Sequence, residues 1–291
     1  MTTAPFDPHA VPLQRAASVL VLDDRPDLHV LCLRRRTGSA FVGGMTVFPG
    51  GGIDDHDDDA AYEPLLHGRT RGEMVERLGI PDALAYWVAV VRETLEEVGV
   101  LLACDATGAP ALAALAARHR HDVDRGHRRM LDVLQEESLL LEVGAVADIG
   151  RWITPVGPPR RYDTRFFVAR LPRGQEATAD EVEAVHAEWR RPADALADWH
   201  LGELVMLPPT VAWLRVLAAY GSVDDVLAAA ARAEGPGSSP RVVGDDRGSF
   251  RVVLPGDADH GAPDARDAWG WVYDELLTPV TGYRGEEVGG C

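Results

Sequence analysis

The stretch from Leu84 to Gly99 constrains this chain more than any other, because an apolar stripe and an acidic face share one helical repeat. Leu84, Trp87, Val88, Val91, Leu95 and Val98 recur three and four residues apart, the spacing that lines up side chains along one side of an α-helix. Glu93, Glu96 and Glu97 fall on the opposite side. Like charges three and four apart destabilise a helix. A divalent cation turns that repulsion into binding, since hard ions such as Mg²⁺ take carboxylate oxygens and keep positions open for phosphate oxygens. Gly99 then supplies a residue able to end the helix in the left-handed conformation. An isolated Glu-Glu pair reads as a solvated face, so the weight rests on what precedes the helix.

That segment is Phe48-Pro49-Gly50-Gly51-Gly52-Ile53-Asp54, a glycine-rich loop leaving a short strand. Glycine lets the backbone approach a phosphate or a metal closely. Upstream, residues 17–22 and 29–34 are apolar runs around the turn-forming Asp23-Asp24-Arg25-Pro26-Asp27, the pattern of a hairpin. A third strand is expected at 43–48, a short helix at 72–78, two helices at 110–118 and 126–141, and strands at 146–154, 163–171 and 182–190. Helices follow at 209–220 and 223–233. Gly235 to Pro240 reads as a linker, with a further hairpin from 241–243 and 250–254. Strands interleaved with helices predict a mixed sheet covered on both faces.

Together, the glycine loop and the acidic helix resemble the signature of the Nudix hydrolases: a Gly, five residues, a Glu, seven residues, then Arg-Glu-hydrophobic-x-Glu-Glu-x-Gly-hydrophobic. Arg92 through Gly99 fit, with Thr94 at the hydrophobic position. Counting from Gly51, Asp57 stands where the family has its first Glu, and 34 residues rather than 7 separate it from Arg92. Within the family the chain looks closest to the coenzyme A diphosphatase-like branch. The marks are Leu31-Cys32-Leu33-Arg34-Arg35-Arg36, Phe41-Val42-Gly43-Gly44-Met45, Val47 to Gly51, Arg161 to Phe167, Leu254-Pro255-Gly256-Asp257 and the interrupted box itself. The resemblance implies an α/β fold, a Nudix-type α/β/α sandwich with a mixed sheet, helical insertions and a small C-terminal extension. A tail over 1–11, a Nudix domain over 12–220 with insertions at about 58–82 and 105–142, and an extension over 221–291 are expected.

It also implies hydrolysis of a diphosphate in coenzyme A or acyl-coenzyme A, giving 3′,5′-ADP and (acyl-)4′-phosphopantetheine. ADP-ribose, NDP-sugars and NADH are the rival substrates, and a non-catalytic nucleotide-binding module is the rival class. Mg²⁺ or Mn²⁺ is the expected cofactor. Glu93 and Glu97 are the principal metal candidates, with Glu96 as a further ligand and the Gly51 carbonyl as the donor suggested by the resemblance. Arg92 is placed to orient Glu96, four residues on. Glu181 and Glu183 are the candidates for a general base. For the phosphates of the ligand, Arg34, Arg36, Arg161 and Arg165 are the candidates, because the planar guanidinium fork matches phosphate oxygens.

Composition narrows the partners. The formal charge of −17 disfavours nonspecific attraction to nucleic acid or anionic lipid, so a small nucleoside diphosphate derivative is expected, with a homodimer as a further possibility. All 29 basic residues are arginine. No run reaches the roughly 18–20 apolar residues of a membrane span, and a cytoplasmic location is the default expectation. The three cysteines are scattered, which argues against a disulfide framework. The spacings of His56, His67, His119, His121 and His127 match no common zinc pattern, and surface positions in polar insertions are expected for them.

Overall fold

The computed structural model describes residues 10–36, 44–154, 160–179, 184–232, 241–244 and 250–253. Its centre is a mixed seven-stranded sheet built on β1 (Leu13–Asp24) and β2 (Leu28–Arg35), the expected hairpin. The sheet continues through β8 (Val146–Ile153), β9 (Arg161–Arg170) and β10 (Ala184–Arg190) in the order β10-β2-β1-β9-β8. β1 runs parallel to β9, in register from Leu13↔Arg161 to Leu22↔Arg170, and the other neighbours are antiparallel.

The hairpin splits, and the split houses the glycine loop. β1 and β2 pair only from Leu22↔Val30 to Asp24↔Leu28, next to their turn. Beyond that they part, and two short strands fill the gap. β3 (Thr46–Val47) pairs with β2, and β4 (Gly50–Gly52) pairs with β1 through Ala17↔Gly51. The strand expected over 43–48 is therefore cut to two described residues. Pro49, just past it, has no N–H to give to a ladder. Its carbonyl instead accepts the Val19 N–H at 2.9 Å and the Ser18 hydroxyl at 3.0 Å.

Helices cover both faces, as the α/β/α expectation has it. On one face lies α2 (Leu84–Val98), the acidic helix. Its stripe packs on Val19, Val21, Leu31, Leu33 and Phe167. Trp87 anchors it, with its indole N–H on the Val146 carbonyl at 3.0 Å and its ring edge-on to Phe167 at 5.0 Å. On the other face α5 (Pro192–His200), α6 (Pro208–Leu217) and α7 (Val223–Arg232) bury Trp199, Trp213, Leu214, Val223 and Val226 against Leu20, Leu22, Val30 and Val168. Successive residues of β1 thus feed two different cores, which is why it reads as one continuous apolar run. α5 had no counterpart among the sequence expectations, although Pro192 at its first turn is a usual helix start.

The two insertions fold together beside α2. The first holds a 3-10 helix (Ala60–Leu65), β5 (Leu66–His67) and α1 (Arg71–Leu78), where Thr70 and Glu73 form a capping box. β6 (Ala103–Cys104), α3 (Ala113–Asp124), α4 (Met130–Glu136) and β7 (Leu140–Glu142) follow. β5, β7 and β6 make a separate three-stranded sheet. His119, expected on the surface, is instead buried in α3 with its Nε2 2.7 Å from Glu137. Towards the C-terminus, β11 (Arg241–Gly244) and β12 (Phe250–Val253) form the expected hairpin.

Candidate active site

α2 is buried nearly all round, and that changes the meaning of its acidic side. Glu93 and Glu97 are 9% and 8% exposed, and Glu96 is half-buried. A solvated acidic face is ruled out. The side away from the stripe lies under β4, and the glycines there make the close approach possible. A Cβ on Gly51 would sit 2.3 Å from Glu93 Oε1, and one on Gly50 would sit 2.3 Å from the Ala17 carbonyl. The Gly50 N–H donates to Glu97 Oε2 at 2.8 Å, which fixes that carboxylate from the loop side.

Arg92 organises the cluster. One of its nitrogens, Nη1, donates to Glu93 Oε1 at 2.7 Å and Glu96 Oε2 at 3.1 Å, and Nη2 reaches the Gly52 carbonyl at 2.8 Å. Its remaining donors go to Asp57, Nε to Oδ1 at 3.2 Å and Nη2 to Oδ2 at 3.0 Å. Asp57 is 2% exposed and also accepts the Asp54 N–H at 2.8 Å. The long interruption therefore loops out while its two ends meet. Asp57 serves Arg92, a contact that its five-residue spacing from Gly51 could have signalled. At the carbonyl level it is Gly52 that meets Arg92, while Gly51 presses on Glu93.

Burial dominates the electrostatics of the cluster. Burial raises the Glu93 carboxyl above its ordinary range, with Arg92 opposing. Burial and then the charge of Glu93 push Glu96 up to about 8. Burial raises Asp57 too, against the pull of Arg92. Burial works against the Arg92 charge, yet the bond to Asp57 and the neighbouring carboxylates outweigh it and hold the guanidinium protonated.

The sheet register places the arginine candidates differently from one another. Arg35, on the same face of β2 as Leu31 and Leu33, brings Nη1 to 3.9 Å from Glu97 Oε1. Arg34 shares the opposite face with Val30 and Cys32 and is exposed there, because side chains alternate along a strand. Arg36 lies exposed just past the end of β2. Arg165 is buried and donates to the Leu78 carbonyl at 3.0 Å beside the Tyr86 ring. Arg161 opens β9, four residues from the rung that joins Gly51, Ala17 and Arg165, and donates to the Thr154 carbonyl at 3.2 Å. Glu181 and Glu183 lie outside the described residues.

Sequence reasoning also missed Arg120. From α3 it donates to the carbonyls of Glu96 at 2.9 Å and Glu97 at 2.7 Å, capping the acidic turn. Nothing in the spacing points to it. Thr94, the departure at a hydrophobic position, is fully buried and satisfies its hydroxyl on the Val90 and Val91 carbonyls at 2.9 and 3.0 Å.

A family model described as the NUDT19 Nudix domain matches residues 69–217, just over half of the chain. The chain belongs to the NUDT19 branch of the Nudix hydrolases. The acyl-coenzyme A diphosphatase NUDT19 of Homo sapiens is 28% identical over 233 residues, covering 68% of this chain and 62% of that protein. Its counterpart from Gallus gallus is 26% identical over 264 residues, covering 73% and 70%. The chain thus spans roughly two thirds of the length of these curated relatives. A crystal structure of a Nudix hydrolase from Alicyclobacillus acidocaldarius is similar with a TM-score of 0.64 at 28% identity, covering 75% of this chain and 97% of that one. Nudix hydrolases work with divalent cations, and the donor set here suits one. Carboxylates from Glu93, Glu96 and Glu97 are arranged around Arg92, with Glu93 and Glu97 against the backbone of Gly50 and Gly51, and oxygen donors of this kind are the ones hard divalent ions take. Among the described residues, no helix is long and apolar enough to cross a membrane.

Proposed function

We propose that the chain hydrolyses the diphosphate of coenzyme A or an acyl-coenzyme A, releasing 3′,5′-ADP and the (acyl-)4′-phosphopantetheine, with Mg²⁺ or Mn²⁺ as the cation. The supporting observation is the Glu93–Glu96–Glu97 cluster, with Glu93 and Glu97 buried against β4, in a chain similar to proteins named acyl-coenzyme A diphosphatases. When bound, a divalent cation there supplies Lewis acidity and neutralises diphosphate charge.

The protein's own residues do the rest. Glu93, Glu96 and Glu97 hold the cation. Arg92, itself anchored by Asp57, fixes the rotamers of Glu93 and Glu96, and the Gly50 amide fixes Glu97. Arg35, beside Glu97, is the β2 arginine on the face of the acidic cluster and is the candidate for a phosphate of the substrate. The Thr178 N–H binds the Val98 carbonyl at 2.9 Å, which holds the chain two residues before Asp180 at the last turn of α2. That supports Glu181 or Glu183 as proton acceptor for the attacking water, a role that requires hydrogen-bond reach of it.

Incubation with Mg²⁺ or Mn²⁺ and a panel of coenzyme A, acyl-coenzyme A, ADP-ribose, NADH and NDP-sugars, followed by mass spectrometry, tests the reading. Coenzyme A species are expected to be cleaved fastest, and Glu97→Gln to lower kcat by about 100-fold or more at saturating metal, since even outer partners of metal ligands matter by 10–100-fold. Preferential cleavage of ADP-ribose or NADH would overturn the substrate assignment. Cleavage of nothing on the panel would overturn the hydrolase reading.

A further inference from the structure

The three-stranded sheet of the insertions places an imidazole, a thiol and a carboxylate side by side, away from the acidic helix. His67 in β5 is the direct partner of Glu142 in β7, and Cys104 in β6 is paired with Leu140, two residues before Glu142. Side chains of directly paired residues, and of residues two apart on one strand, share a face. His67, Glu142 and Cys104 therefore point to one side, while Leu66, Leu141 and Ala103 point to the other, into the core around α2. One ligand atom from each of the three lies within 4.8 Å of the others, and His67 Nδ1 is 2.8 Å from Glu142 Oε2. Among the described residues, no other trio of His, Cys, Asp and Glu comes this close; the carboxylates of α2 are spread around Arg92.

We propose that His67, Cys104 and Glu142 form a second metal site, for Zn²⁺ or a similar borderline divalent ion. Thiolate and imidazole select such an ion over Mg²⁺, which favours oxygen donors. Thiolate and carboxylate together carry two negative charges and so neutralise the ion in a partly buried place. Zinc bonds of about 2.0–2.3 Å put ligand atoms about 3.5 Å apart on a tetrahedron, so side-chain adjustments of about an ångström close the site. The frame that holds the donors is tight. Gly68 and Gly144 are packed so closely that a Cβ on either would lie 2.8 Å from the other's Cα, and the Gly144 N–H binds the His67 carbonyl at 3.0 Å. Cys104 is covered, whereas His67 is part-exposed, which leaves an entry path and a fourth position open to water on that side. The ion ties together strands from both insertions, so its first effect is on their stability.

The test uses Co²⁺ as a spectroscopic stand-in for zinc, added to the full chain in excess Mg²⁺ so that the α2 carboxylates are occupied by the harder ion. A thiolate-to-cobalt charge-transfer band in the near ultraviolet is expected, saturating at about one equivalent and displaced by Zn²⁺, with Tm rising on zinc addition. Cys104→Ser should abolish the band. His67→Ala, which removes a part-exposed ligand, should weaken cobalt and zinc binding on the order of 100-fold, the loss of one ligand in three. Absence of the band, or a band and zinc affinity unchanged in His67→Ala, would overturn the site.

Discussion

Gly51 and Gly52 are adjacent residues of β4 with opposite tolerance for a methyl group. A Cβ on Gly51 would enter the Glu93 carboxylate at 2.3 Å, whereas one on Gly52 meets nothing within 4 Å. Gly51→Ala must displace Glu93 or the loop, and a misplacement of about 1 Å in a catalytic constellation costs about 100-fold. We predict a fall in kcat of that order for Gly51→Ala and a change of less than about twofold for Gly52→Ala, measured as steady-state hydrolysis at saturating metal. Equal effects would show that the loop acts through its flexibility and not through this contact. Glu96 gives a pH dependence of known sign. Its carboxyl is pushed up to about 8 by burial and by Glu93, from an ordinary value of 4.5, so the folded protein without metal favours the protonated form. Stability from this group is full below the unfolded value and is lost as pH rises from 4.5 towards 8. Cation binding runs the other way, because it needs the charged carboxylate. Mn²⁺ affinity is therefore expected to rise with pH from 6 to about 8 and to release protons near neutrality. Calorimetry in two buffers of different ionisation enthalpy reads both, and a pH-independent affinity would refute the assignment of Glu96.

α2 presents its three glutamates over its last two turns, and its C-terminal end is closed twice. Gly99 takes the left-handed conformation (φ 66°) and returns its N–H to Leu95, as its place after Val98 predicts. Arg120 then reaches across from α3 to the carbonyls of Glu96 and Glu97, and its Nη1 donates to the Thr178 hydroxyl at 3.1 Å. Hydrogen bonds from a charged donor contribute about 1.5–3 kcal/mol. Arg120→Ala should thus lower Tm and reduce kcat by roughly tenfold, as an outer partner of a metal site does, with Arg120→Lys restoring part of both. Activity unchanged alongside a lower Tm would make Arg120 structural only. This pair of closures shows what the chain discloses before folding. The stripe of α2, the hairpin of β1 and β2 and the Gly99 stop were legible because each is a local pattern of period or conformation. Arg120 was not, since its partners lie 23 and 24 residues away across a helix pair. The same holds for Arg35, which only the alternation of β2 against α2 separates from Arg34. β5, β6 and β7 have two or three residues each, too short to carry a period. Asp57 was half-legible: its spacing from Gly51 marked it, but only tertiary pairing with Arg92 gave it a task.

For the whole molecule the question is whether the first insertion is ornament or framework. A 34-residue spacer where related signatures have 7 looks removable, since Asp57 and Arg92 meet regardless of what lies between. The packing argues otherwise. Tyr62, Met74 and Leu78 are buried in the same core as Trp87 and Leu95. Full burial of such side chains contributes about 1.5–3 kcal/mol each, so the three together approach the 5–15 kcal/mol that holds a typical domain folded. Polar partners would be lost as well. Arg165 donates to the Leu78 carbonyl from a buried position, and Arg77 donates to the Asp148 carbonyl at 2.9 Å. Excision would leave a guanidinium in the core without that acceptor, a penalty of several kcal/mol. Replacement of residues 58–82 by a short Gly-Ser linker is therefore expected to abolish cooperative unfolding and cation-dependent hydrolysis together. Circular dichroism melts and the coenzyme A assay on the same preparation read both. A linker variant that melts cooperatively and still hydrolyses would mean that α2 and the sheet carry the fold alone, with the insertion packed onto an already stable domain.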